Sequence, residues 1–135
     1  MRALYYILNL TWGLPMTLVG WVSGVCLMAM GVTPRKWGGC TWYSVGECWG
    51  GLNLGLTVIT DKNPTDHVLN HEFGHSIQNA RYGLLFPLVV AIPSVVEYWK
   101  NTIAENNGKV FETYDTTWYE REATDLGDKY IKYFQ

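Results

Sequence analysis

The sequence predicts a mainly α-helical α+β domain, with a small β-hairpin or edge sheet and an N-terminal transmembrane helix. Three observations predict it. The chain carries no charged residue from Ala3 to Pro34. A stretch rich in Gly, Trp and β-branched residues follows, from 37 to 62. Two later segments then carry the start and stop signals of helices. At 135 residues the chain suits one compact domain plus an anchor, placed here at 37–135 and 1–36 respectively.

The uncharged run is about 30 residues long, and a bilayer-spanning helix needs roughly 20. Arg2 precedes it, and Arg35 and Lys36 follow. Tyr5, Tyr6, Trp12 and Trp21 add rings suited to the headgroup region. The opposed basic residues leave the orientation, and so the side of the membrane, undetermined. A cleaved signal peptide fits less well, because the apolar part is too long and Arg2 is its only basic residue. Gly13, Pro15 and Gly20 are expected to kink the helix or mark a break. Charged residues make up 16% of the chain and aromatics 15%. Ordinary soluble domains carry about 25% charged residues, so the composition points either to a bilayer partner or to a chain with unusually little exposed surface. The net charge of -2, with no basic stripe, excludes nucleic acid as an expected partner.

CTWYSVGECWGGLNLGLTVIT reads as two short strands about a turn near Val45 and Gly46, the second running from Leu52 to Thr60. Of the three cysteines, Cys26 reads as a small buried hydrophobe. Cys40 and Cys48 flank the turn and can form a disulfide without being required to. Asp61-Lys62-Asn63-Pro64 then breaks the strand and starts a helix. Asn63 is the expected N-cap, Pro64 the first helical residue, and Asp66 complements the positive helix end. Gly83 is the expected stop. A last helix is expected from Asp115–Thr117 onward.

The first of these helices carries His71-Glu72-Phe73-Gly74-His75, an HExxH sequence. Residues four apart lie on one helix face, one turn from each other. Two imidazoles so placed can bind one Zn²⁺ at about 2.0–2.1 Å each. Glu72, offset along the helix, is the expected catalytic base acting on a metal-bound water. Gly74 keeps the helix surface small between the ligands. His67 continues the four-residue spacing, but i to i+8 spans about 12 Å of rise, so it is not expected to share the ion.

A catalytic zinc keeps three protein ligands and one open position. HEFGH together with the later Glu120-Arg121-Glu122-Ala123-Thr124 resembles the gluzincin arrangement, HExxH … ExxA(D). The resemblance implies a minimal core of strand, HExxH helix and Glu helix, with peptide-bond hydrolysis as the activity. It also implies Glu120 as the third ligand, with Glu122 the alternative in a shifted register. Where many gluzincins have an Asp that orients a ligand histidine, this chain has Thr124, followed by Asp125. Either is a candidate to hold an imidazole from behind. Thr117 and Glu120 also fit a T-x-x-E capping box. More loosely, the order of anchor, GGLNLG strand, HEFGHSIQ and LFPLVVAIPS resembles small bacterial and mobile-element membrane metallopeptidases.

Between the two motifs lies an apolar segment, 84–96, roughly 20 Å long as a helix against a hydrocarbon core of about 30 Å. A full crossing would put His75 and Glu120 on opposite sides of the bilayer. The segment is therefore expected to be a core helix, an interfacial helix or a re-entrant hairpin broken at Pro87 and Pro93. For the oxyanion, Tyr114, Tyr119, Tyr82 and Arg81 are the candidates. The expected function is zinc-dependent cleavage of a peptide or protein substrate by a membrane metallopeptidase. The rival is a non-catalytic membrane interaction or immunity-type protein with a structural zinc.

Overall fold

The computed structural model describes residues 1–108 and 117–135. The chain is mainly helical with one small mixed sheet, so the α+β class holds. The uncharged N-terminal run is not one helix. It forms α1 (Arg2–Leu10) and α2 (Leu14–Ala29), bent by 87° at the break between them. Among the described residues, no single helix is long and apolar enough to cross a membrane, which corrects the expectation of an N-terminal transmembrane helix, while the break falls beside Gly13 and Pro15. Pro15 sits in the first turn of α2, where its missing N–H costs nothing and it starts a new helix.

Polar side chains hold this elbow onto α3 (Asp66–Tyr82). Asn9 is fully buried. Its Nδ2 donates to the Tyr5 and Ser76 carbonyls, and its Oδ1 accepts from Asn79 Nδ2 at 2.7 Å. Asn79 also donates to the Gly13 carbonyl at 3.0 Å, and Trp12 Nε1 to that of Ala80 at 2.8 Å. Thr17 donates to the Asn9 carbonyl at 3.0 Å. A straight apolar helix would bury these groups without partners, and that penalty favours the bend. Cys26 lies exposed on α2 rather than buried.

Four strands follow: β1 (Arg35–Trp37), β2 (Cys40–Ser44), β3 (Gly51–Leu54) and β4 (Thr57–Thr60). Their spatial order is β1-β2-β4-β3. The expected second strand is itself a hairpin, turning at Gly55 with φ +66°, where Asn53 Nδ2 donates to the Gly55 carbonyl. β4 then pairs parallel with β2 and antiparallel with β3. β2 and its sequence successor are therefore not neighbours, and β3 becomes an edge strand. Cys40 and Cys48 are both free thiols, the first buried and the second exposed.

The cap of α3 is Thr65, whose hydroxyl accepts from Val68 N–H at 3.3 Å. Asn63 and Pro64 thus precede the cap, which corrects the expected start. The stop at Gly83 has φ +56°. A 3₁₀ turn (Gly83–Leu85) and a π-helical turn (Pro87–Ala91) lead into α4 (Ile92–Asn106). The helices on either side of Phe86 are bent by 118°, so segment 84–96 doubles back instead of running on. The break falls at Pro87, while Pro93 sits in the first turn of α4 and interrupts nothing.

The last helix, α5 (Trp118–Tyr130), packs along α3. Two glycines permit the contact. A Cβ at Gly74 would run into the Ala123 carbonyl, and one at Gly127 into the Asn70 carbonyl. The main core gathers Tyr5, Cys40, Leu56, Val58, Leu69, Phe73 and Ala80. Phe73 stacks edge-on with Phe134 at 5.0 Å, and its burial contributes about 2–3 kcal/mol. Phe86, Val90 and Tyr119 form a smaller cluster beneath the turn into α4.

Candidate metal centre

The α3 backbone sets the first half of the site. His71 and His75 lie one turn apart and are both buried. Their rings meet edge to face at 4.7 Å. The close α3–α5 approach brings in Glu120 from the first turn of α5, fully buried. Its Oε2 lies 2.8 Å from His71 Nε2 and 3.2 Å from His75 Nε2. One ligand atom from each of the three lies within 4.8 Å of the others. Tetrahedral ligands on bonds of about 2.0–2.1 Å are roughly 3.3 Å apart, so this buried His-His-Glu group can hold a metal ion with little adjustment.

The Nδ1 atoms face the other way, onto fixed partners. His71 Nδ1 is 2.9 Å from Thr124 Oγ1, and His75 Nδ1 is 2.7 Å from Gln78 Oε1. With Nδ1–H donating in each case, both Nε2 lone pairs point at the shared space, the tautomer a metal requires. Gln78, itself fully buried, is held in turn by donating Nε2 to the Tyr119 carbonyl and to Glu122 Oε2 at 2.8 Å. Glu122 also accepts from Arg81 and from the Tyr82 hydroxyl. Glu122 therefore lies behind His75, away from the ligand cluster. Thr124 meets the imidazole, whereas Asp125 is exposed.

Comparison with protein-family models, with curated proteins and with solved structures returns no match.

Burial pushes the Glu120 carboxyl upward, but the bonds from His71 and His75 outweigh it and hold the group well below the usual carboxylate range. Glu120 is thus an anion facing two imidazoles. Glu72 behaves in the opposite way. Burial raises its pKa to about 7, His71 opposes the shift, and the Glu120 charge adds to it. A carboxyl that exchanges its proton near neutrality is suited to general acid–base work.

A cleft opens beside the ligands between β3 and α4. Gly51, Leu52, Asn53 and Leu54 line it with His71, Glu72 and His75, and Ser94 and Val95 stand opposite. It continues into a cavity of about 210 Å³ bounded by Trp49, His67, Glu72 and Tyr98. His67 is exposed at that rim, consistent with its exclusion as a ligand. Of the oxyanion candidates, Tyr114 lies outside the described residues. Tyr119 is packed with Phe86 and Val90, and Arg81 and Tyr82 bind Glu122. Tyr98, which does line the cavity, donates to the Trp49 carbonyl at 3.0 Å. Nothing in the sequence singles out Tyr98, but the spacing of Gln78 three residues after His75 was a usable signal. Thr117 is the N-cap of α5 without a side-chain capping bond, so Glu120 faces the histidines rather than closing a capping box.

Proposed function

We propose that this protein is a membrane-associated zinc metallopeptidase with a minimal gluzincin-like core, in which His71, His75 and Glu120 hold the ion and Glu72 is the general base. The observation that carries the reading is the convergence of three buried ligand atoms within 4.8 Å, with the Glu72 carboxyl buried alongside and open to the same cleft.

Two imidazoles and one carboxylate are a zinc donor set that leaves a position for water. Zinc, when bound, would polarise the scissile carbonyl and acidify that water. Glu72 takes the proton and later delivers it to the leaving amine. Thr124 and Gln78 hold the imidazoles in register, so the ligand atoms need not reorganise during turnover. Among the described residues β3 is unpaired on its outer side, where it offers backbone groups to an extended substrate.

Membrane association is supported by apolar side chains left exposed on three helices. They include Leu4 and Ile7 on α1, Val22 and Val25 on α2, and Ile92 and Trp99 on α4. The bent pair α1–α2 has the length and composition of a broken span or re-entrant hairpin.

The deciding experiment purifies the protein without chelators and measures its metal by mass spectrometry, then assays peptide hydrolysis. One zinc per chain is expected, lost in His71→Ala. Glu72→Gln should retain the zinc and lose hydrolysis. Full zinc content with hydrolysis indifferent to Glu72→Gln would leave a structural metal site and no peptidase.

A further inference from the structure

The cleft is bounded almost wholly by uncharged side chains. On one side of the metal ligands its walls are Met16, Leu54, Phe86 and Val90. On the other they are Trp49, Leu52, Val95, Tyr98 and Trp99. Among the described lining residues there is no Lys or Arg, and Glu72 is the only carboxylate. An acidic substrate residue beside the scissile bond would lose its water here without meeting a Lys or Arg.

Two further observations describe the occupant's backbone. Among the described residues the edge strand β3 pairs only with β4, and it approaches Glu72 so closely that a Cβ at Gly51 would stand 2.8 Å from Oε1. A chain added along this edge would pass directly beside the proposed base. Asn53 on the same strand lines the cleft, and its buried Oδ1 accepts no hydrogen bond among the described residues.

The cleft mouth continues into an apolar surface. Leu88, Ile92, Val95, Val96, Trp99 and Ile103 follow helical spacing along one exposed stripe through the turn and α4. Val95 and Trp99 belong both to this stripe and to the cleft wall. We propose that the substrate is an uncharged, apolar stretch of polypeptide, held extended against β3 and admitted from the lipid-exposed side of α4. This rests on the peptidase reading above and names its substrate class.

The test uses the full chain, zinc-loaded, in phosphatidylcholine vesicles. One fluorogenic peptide has only Ala, Leu, Val and Phe around its cleavage point, which mass spectrometry locates. Its twin carries Glu on each side of that bond. The apolar peptide is expected to be cut at least ~10-fold faster. Val95 is 41% exposed, so Val95→Lys can fold normally. It should slow the apolar peptide at least ~5-fold and narrow or reverse the preference. Equal rates for the two peptides, or a preference unmoved by Val95→Lys, would overturn the assignment while leaving the peptidase intact. Hydrolysis that survives Glu72→Gln or chelation would instead overturn the peptidase reading. Should neither peptide be cut, their binding to the Glu72→Gln protein, followed by fluorescence anisotropy, is the readout. Equal affinities then count against the proposal, and tighter binding of the apolar peptide supports it.

Discussion

Gly74 on α3 lies directly against the carbonyl of Ala123 on α5, with no room for a Cβ between them. That contact lets Glu120 reach the two histidines. Gly74→Ala gains up to ~1 kcal/mol in helix propensity, but it forces the helices apart at a cost of about 1–3 kcal/mol or more. The expected net result is a less stable protein with weaker metal binding. Thermal melts and zinc titration against a competing chelator measure both. Unchanged affinity in a folded Gly74→Ala protein would show that the close approach does not position Glu120.

The bonds behind the imidazoles predict a second effect. Gln78→Leu and Thr124→Val each remove the partner of one Nδ1 atom. Each should weaken zinc binding about 10–100-fold, while circular dichroism stays close to wild type. The Gln78 change should be the more destabilising, because it also leaves Glu122 without one donor.

Glu120 and Glu122 are separated by the same measurement. Glu120→Gln removes the anionic ligand and should abolish stoichiometric zinc. Glu122→Gln keeps the ligands and should lower affinity by no more than ~10-fold, acting through Gln78. The reverse ranking would reassign the third ligand.

The raised pKa of Glu72 predicts a pH effect on the metal-free protein. Its folded-state pKa is about 7, above its ordinary value, so the folded state holds the proton more tightly than the unfolded chain. Stability from this group is present at low pH and is lost as pH rises from about 4.5 to about 7. The full effect is on the order of 3 kcal/mol. Glu72→Gln removes it, so the variant should gain stability relative to wild type across that window. Urea denaturation at pH 4.5, 6 and 7.5 in chelator checks the difference. A gap that stays constant with pH would mean that the carboxyl is not desolvated.

At the N-terminal elbow, Asn9→Ala removes the bonds to Ser76 and Asn79 from a fully buried position. A loss of about 2–4 kcal/mol is expected, from the deleted bonds and the stranded partners. If melting is unchanged, the α1–α2 bend is not held by this network.

Several features were legible because they depend on neighbours in the chain. The i, i+4 pair of His71 and His75 follows from helix geometry alone, and the stop at Gly83 from its positive φ. The reversal of 84–96 was open to the argument that both halves of a shared site lie on one side. Other features depend on distant partners. Asn9 looks tolerable in a long apolar run until Ser76 and Asn79 supply its partners. The parallel pairing of β2 with β4 joins residues with a hairpin between them, so no local pattern reports it.

By itself, the sequence determined which side chains can bind a metal and that a large apolar surface must be accommodated, since donor chemistry and composition belong to residues and short spacings. Only the tertiary structure decided that Glu120 joins the histidines while Glu122 stands behind Gln78. Two carboxylates so close in sequence differ in role through helix phase and the approach of α5 to Gly74. Those follow from the packing of whole helices, which minimises voids and unpaired polar groups over the entire domain.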